Sequence, residues 1–490
     1  MNKMKKTFLY IILAAGVVQL TSCAKKEFLN PIPTNSISDL TAFDSKDRIE
    51  GQVRAIYASI KNSGMYGGRY QIFNDIRGEE FMNDRTNVVT GFDIWGYTPS
   101  NSSTNSVINH WSRAYYVINL ANTFIDGMNA KGTNVVGATL SGNYLGEARL
   151  LRAMSYYSLL QLYARPYWDG NGSKPGVPLR LKGNTGSDDY ALARATVAQV
   201  YDQIIADLNF AEQNLPLNNG SAILNTTRAH RNTAIALKTR VFLSMRRYTD
   251  VITEANKIVS ATAPYTATSG VPHALQADYT NIFKAPYTTT ESILSMPFAS
   301  NETPGTQNQL GYYYGPAAFN GGNGEYSLLS TGIIGNVGWL PTDKRRSFVQ
   351  VFSGKSYLTK YSVASTFTDY APVIRYAEVL LNLAEARVRS TNTVDAQAIA
   401  LLNAVRGRSD ATTIFTALNF ADAAALADAI ITERRIEFLG EGLRGTDITR
   451  LGLPLPAKPG VNSIPATGQQ YIWPISSEEL LLNPLCVDNN

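Results

Sequence analysis

The stretch Thr432–Gly452, TERRIEFLGEGLRGTDITRLG, constrains this chain more than any other. Both charges alternate densely in it beside a few bulky apolar anchors. Glu433, Arg434, Arg435 and Glu437 sit among Ile436, Phe438 and Leu439, and Arg444, Asp447 and Arg450 follow a glycine-rich break. Read as a helix to about Leu439, it sets Arg434 and Glu437 three apart, on neighbouring turns. Gly440, Gly442 and Gly445 end the helix, because glycine takes backbone angles that a side chain forbids. Two outcomes fit the pattern: ion pairs that hold packed helices together, or a solvated helical face.

The chain opens MNKMKKTFLYIILAAGVVQLTSC. Lys3, Lys5 and Lys6 form a basic start, and Phe8 to Val18 an apolar core too short to span a bilayer, which reads as a signal peptide over residues 1–22. Leu20-Thr21-Ser22-Cys23 resembles the lipobox of bacterial lipoproteins. That resemblance implies cleavage before a lipidated Cys23, with several acyl chains as a stable anchor. Ala24, in place of the Asp that retains many such proteins at the inner membrane, favours the outer membrane. Residues 23–45, rich in Pro, Asn and Ser, read as a tether. The only other cysteine is Cys486, so a lipidated Cys23 leaves no intrachain disulfide. A net charge of +5, three of it from the leader lysines, argues against a nucleic-acid partner.

Helical periodicity dominates the rest. Apolar stripes predict helices over 46–61, 107–128, 143–165, 197–214, 232–245, 249–260, 372–389, 397–408 and 423–439. Thr196 is placed to cap the fourth. The pair about Arg246-Arg247-Tyr248 has the spacing of a tetratricopeptide unit, with small Ala234, Ala236 and Ala255 at its contact. Two stretches, 63–106 and 261–369, lack the helical period and are rich in Gly, Asn, Thr, Ser and aromatics. Loops this long in a compact body are usually functional.

Several motifs, in order, resemble those of the SusD/RagB family of surface nutrient-binding lipoproteins. The C-terminal signature falls on Glu433, Arg434, Glu437, Phe438, Glu441, Gly442, Arg444, Asp447 and Arg450. Glu27 to Pro31, Glu147-x-Arg149-x-Leu151-Arg152-Ala153, the 194–216 run, the Arg375–Ala386 helix, the set Leu401, Asn403, Val405, Arg406 and Arg408, and the closing Trp473-Pro474-Ile475 are also similar. Arg165 stands where glycine is commonest, a departure confined to one turn. The resemblance implies a mainly α protein: a scaffold of tetratricopeptide-like helix pairs with an irregular, loop-rich ligand-binding lobe. It divides the body, 46–490, into a helical part 46–260 with an insert at 63–106, an irregular insert 261–369, and a helical part 370–490.

The resemblance further implies a non-catalytic oligosaccharide binder at the cell surface, paired with a TonB-dependent β-barrel transporter of the SusC type. Aromatic faces pack on the C–H face of a pyranose while amides and carboxylates bond its hydroxyls. By position within the two loop regions, Trp95, Tyr97 and Trp339 are the leading candidates. Tyr66, Tyr70 and Tyr312-Tyr313-Tyr314 follow, with Asn83, Asp84 and Asn101 as polar partners. The triplet also reads as an alternating strand. The alternative for every ring is a local core under the loops. A peptide ligand and a two-carboxylate glycosidase are the competing functions.

Enzyme motifs are otherwise missing. His110, His230 and His273 make no His-Glu-x-x-His, and no G-x-S-x-G elbow occurs. Gly354-Lys355-Ser356 lacks the first glycine of a phosphate loop, with Val349 in its place. No cofactor is expected; whether calcium sits in the loops is open.

Overall fold

The computed structural model describes residues 41–186, 190–303, 305 and 309–489. The leader 1–22, Cys23 and most of the tether lie outside them. The main helices are α1 (Lys46–Ile60), α2 (Arg69–Ile76), α3 (Asn109–Gly127), α4 (Ala138–Tyr163), α5 (Val197–Asn214), α6 (Arg231–Ser244), α7 (Tyr248–Ala255), α8 (Tyr376–Thr391), α9 (Ala396–Gly407), α10 (Ala423–Glu437), α11 (Arg444–Leu451) and α12 (Ser477–Leu482). The strands are β1 (Phe81–Asn83), β2 (Pro175–Pro178), β3 (Arg194–Thr196), β4 (Ser292–Met296), β5 (Tyr326–Leu328), β6 (Val349–Phe352), β7 (Lys355–Leu358) and β8 (Ala371–Arg375).

The chain is mainly α, and its helices pack in succession. α3 lies against α1 and α4, α4 against α5, α5 against α6, α6 against α7, α7 against α8, and α8 against α9 and α10. Every residue of α6 from Asn232 to Ser244 is buried, as is nearly all of α4 beyond Tyr144. Helices covered on all sides are the interior of a layered helical scaffold rather than its skin. The cap on α5 forms as the sequence predicts. Thr196 Oγ1 accepts from Gln199 N at 3.2 Å while Gln199 Oε1 accepts from Thr196 N at 2.9 Å.

Three expected secondary-structure assignments need correcting. Pro372 to Arg375 is not helix but strand β8, paired antiparallel with β4. The β-branched Val373 and Ile374 suit a buried strand. The 63–106 insert is not loop throughout. It holds α2, whose eight residues are all buried, so it has no polar face and no stripe to betray it. Tyr312 to Tyr314 belongs to a short helix, Leu310–Tyr314, not an alternating strand. The two irregular stretches join in one sheet of order β1-β5-β7-β6.

The charges of 432–452 are interior except for half-buried Arg435 and Arg444. Glu433 and Glu437 are both 0% exposed, which removes the solvated-face reading. Glu437 accepts from Arg345 at 2.8 Å, from Arg375 at 2.9 Å and from Arg408. Glu433 accepts from Arg345 and Arg406, each at 2.5 Å. Glu441 takes Lys360 and Arg375. Arg434 does not pair with Glu437; it pairs with Asp447, which also holds Arg450. Burial pushes the Glu437 carboxyl up, but Arg408, Arg375 and Arg345 outweigh it and hold it below the usual range. The network ties α10 to strand β8 and to the segments around Arg345 and Arg408.

The glycines act differently from one another. Gly442 turns the chain at φ +80, and a Cβ there would lie 2.4 Å from Gln71 Cα. Gly445 is not a breaker: it sits inside α11 and lets that helix approach Asn74 O, 2.5 Å from where a Cβ would stand.

Candidate functional site

Most of the loop aromatics expected to meet ligand are core. Trp95 is 4% exposed and its Nε1 donates to Phe81 O at 2.8 Å. The Tyr97 hydroxyl reaches the carbonyls of Arg77 at 3.0 Å and Pro456 at 2.8 Å. Between these two rings lies Lys458 Nζ, 5.0 Å from one ring centre and 4.0 Å from the other, donating to Ile76 O. The pair therefore clasps a lysine of the 453–468 segment, not a sugar. Trp339 is buried beneath the Arg346 guanidinium, 4.2 Å from the ring centre. Tyr66 and Tyr70 meet in the interior with ring centres 4.7 Å apart and planes tilted by 53°. Tyr313 accepts from Arg69 and Tyr314 donates to Asp75. A buried ring has no free face for a pyranose, and this corrects the sequence expectation for all seven.

The polar candidates serve turns and pairs. Asn83 Oδ1 accepts from the backbone of Arg85 and Thr86. Asp84 takes Lys355 at 2.6 Å and Ser327 N at 3.0 Å. Tyr312 is half-buried against Phe367, and Asn101 is half-buried with its carbonyl accepting from Ser477 N at 2.9 Å. Asn101 thus stands beside α12, which walls the cleft described next.

A cleft of about 560 Å³ opens along α3. Trp111, Tyr115, Asn119 and Asn122, at i, i+4, i+8 and i+11, share one helical face, with Tyr116 beside them. That face runs about 16 Å at the helical rise. The opposite wall is the segment bearing Arg180, Asn184 and Tyr190, and the third is α12 and Asn483. The asparagines fix the walls. Asn119 exchanges two hydrogen bonds with the Asn184 backbone, and Asn122 Nδ2 donates to the carbonyls of Arg180 and Lys182. Asn122 Oδ1 is in turn held by Arg152, which is locked to Asp207 by two bonds.

Glu479 is the knot of the floor. It accepts from Arg180 at 3.1 Å, from Trp111 Nε1 at 3.2 Å and from Asn483 Nδ2 at 2.6 Å. Arg180 also donates to Tyr190 O at 2.6 Å. Above this floor Tyr116 is 51% exposed, and Tyr115 and Tyr190 are half-buried. Flat rings, hydroxyls and amides converge in one concavity, the makeup of a site for a polyhydroxylated ligand. A second cavity, of about 570 Å³, is lined by Lys238, Lys257, Glu212 and Glu254, with no ring in its walls.

The sequence did carry a signal for the cleft. Asparagines sharing the face of Trp111 and Tyr115 are out of place on a purely core-facing stripe, so that face has polar work beyond packing. Among the described residues no three His, Cys, Asp or Glu are placed to hold a metal ion. His230 and His273 stack at 5.2 Å, and burial pushes their imidazoles down to about 3 and about 4. Among the described residues no helix is long and apolar enough to cross a membrane.

The structure is thus a scaffold of successively packed helices with an irregular lobe and an aromatic-and-amide cleft. Residues 27–243 match a SusD-like family model described as "Starch-binding associating with outer membrane", and residues 343–455 match the SusD family model. A SusD superfamily protein from Bacteroides fragilis is 32% identical, covers 91% of this chain and 99% of its own, and superposes with a TM-score of 0.80. The chain belongs to the SusD/RagB family. SusD-like protein P2 of Formosa agariphila is 23% identical over 100% of this chain and 99% of its own. Surface glycan-binding protein A from Bacteroides thetaiotaomicron, solved with laminarihexaose, shares the fold at 18% identity, a TM-score of 0.71, and 91% and 99% coverage.

Proposed function

We infer that this protein is a surface glycan-binding lipoprotein of the outer membrane, anchored through Cys23, that captures oligosaccharide and hands it to a TonB-dependent β-barrel transporter. The cleft along α3 carries this reading. Its exposed and half-buried tyrosines would pack on sugar rings, and the Asn184 side chain and tyrosine hydroxyls would bond sugar hydroxyls. Its length suits a short oligosaccharide better than a single ring. The glycan-binding relative of the same fold supports the ligand class. The protein would bind without chemistry, raising ligand concentration at the transporter mouth, and the helical scaffold would offer the wide contact face that helix-pair arrays provide.

The partnership is tested by affinity capture of the tagged full chain from detergent-solubilised outer membrane. Recovery of a β-barrel transporter at near-equal amount is expected. Recovery of the protein alone, with its lipid anchor intact, contradicts the partnership.

A further inference from the structure

We propose that Glu479 makes the cleft selective for uncharged oligosaccharides, by holding Arg180 neutralised. The inference rests on the glycan-binding reading above and adds the class of sugar.

Arg180 is the one cation among the described residues that line the cleft. Both ends of its guanidinium are committed. One nitrogen donates to Tyr190 O at 2.6 Å and the other to Glu479 at 3.1 Å. The pair is largely shielded, with side-chain exposures of 18% and 12%. A uronate or sulfate would have to take Arg180 from Glu479. Glu479 is not free to withdraw, because Trp111 Nε1 and Asn483 Nδ2 hold its carboxylate in place. Asn483 is itself fixed by two bonds to the Leu192 backbone, so the wall behind the carboxylate is anchored. An anionic ligand entering beside Arg180 would therefore meet Glu479 as well, and like charges at close range in a partly desolvated site repel strongly.

The rim adds to this. Glu478 is exposed on the same cleft and has no ion-pair partner among the described residues. With Arg180 cancelled by Glu479, the charge left over is negative. Apart from Glu478, the groups turned to the ligand are uncharged: the rings of Tyr116 and Tyr190, the Tyr116 hydroxyl and the Asn184 side chain. Such groups recognise hydroxyls and C–H faces, and give a carboxylate no charge-assisted bond. The Arg180–Glu479 pair thus works as negative selection as well as structure, a repulsive element built against one ligand class.

The test is calorimetric titration of the soluble body, from Ala24, with neutral oligosaccharides and with uronate-containing and sulfated oligosaccharides of equal length. The wild type is expected to bind at least one neutral oligosaccharide about tenfold or more tighter than its anionic counterpart. Glu479→Gln keeps the shape and frees the charge of Arg180, and is expected to narrow that preference by about tenfold. Arg180→Gln leaves Glu479 uncompensated and is expected to widen it, so the inference stays testable should either variant melt early. Anionic oligosaccharides bound as tightly as neutral ones by the wild type, or a preference unmoved in both variants, overturns the role of Glu479 and leaves glycan binding standing. No binding to any saccharide, neutral or anionic, overturns the glycan reading and this inference with it.

Discussion

Arg375 grips Glu441 with two parallel hydrogen bonds, Nε to Oε2 at 2.7 Å and Nη2 to Oε1 at 2.8 Å. The fork joins the end of strand β8 to the glycine-rich turn after α10, out of contact with water. Arg375 also reaches Glu437 and Glu291, so one guanidinium serves three carboxylates. Replacing it by methionine leaves those carboxylates buried and short of a partner. Arg375→Met is expected to cost about 3–5 kcal/mol, read as a lowered urea midpoint. Arg375→Lys keeps the charge but not the fork and is expected to fall between.

Asp75 makes stability depend on pH. Its Oδ2 accepts from Gly442 N at 2.9 Å and from Tyr314 at 3.2 Å, and burial raises its carboxyl from 3.8 to about 8. Unfolded, it loses its proton near 3.8; folded, it keeps it to about 8. The stability it contributes is full below the lower value and is lost as pH rises through the upper one, at about 1.4 kcal/mol per unit. His110, His230 and His273 act in the opposite direction. Burial depresses all three, so their effect is complete once pH passes 6.5; between pH 7 and 8 the buried Lys458 ammonium, which burial holds well below its ordinary value, still adds a rise, so the Asp75 contribution is read there as the difference between wild type and variant. Asp75→Asn is expected to shift the pH 7 to 8 slope of stability upward relative to wild type in urea melts. An unchanged slope would show that Asp75 is ionised in the fold.

Gly442 and Gly354 separate backbone strain from close approach. Both have positive φ, but a Cβ at Gly354 meets nothing within 4 Å whereas at Gly442 it collides with Gln71. Gly354→Ala is expected to cost about 1–2 kcal/mol, the left-handed strain alone. Gly442→Ala is expected to cost about 2–4 kcal/mol, because the α2 backbone must also move. Equal losses in thermal melts would contradict the contact.

Trp95 now belongs with stability. Its indole is bonded to Phe81 O and packs over Lys458, so Trp95→Ala is expected to destabilise the fold by about 3–5 kcal/mol. Tyr116→Ala, at a half-exposed ring, is expected to leave the melting temperature within about a degree or two of wild type, as surface substitutions do. A stable Trp95→Ala protein that has lost ligand binding would return that ring to the site.

The helices were legible because most present one apolar stripe to one neighbour, and the cap on α5 because the hydroxyl of Thr196 stands just before the stripe that begins at Val197. α2 was not, since all eight of its residues are buried and leave no period to read. In 432–452 the density of charge was plain, but not its partners. Arg345, Arg375, Arg406 and Arg408 lie far away in sequence, and Arg434 reaches Asp447 rather than its neighbour Glu437. The rings of the two loop regions looked like ligand platforms because composition marks a loop but not what covers it. The cleft escaped notice for the converse reason. Trp111 and Tyr115 fit a core stripe, and the wall that makes their face concave comes from residues some seventy and more than three hundred and fifty positions further on, at Arg180 and Glu479.

Titration of a neutral oligosaccharide panel into the soluble body, beside Tyr116→Ala and Tyr190→Ala, tests the glycan cleft most directly. Binding without product formation, weakened about fivefold or more in each variant by loss of a contact worth about 1 kcal/mol, is the expected result. Wild-type affinity in both variants would place the glycan elsewhere on the molecule, and no binding to any sugar would contradict the function itself.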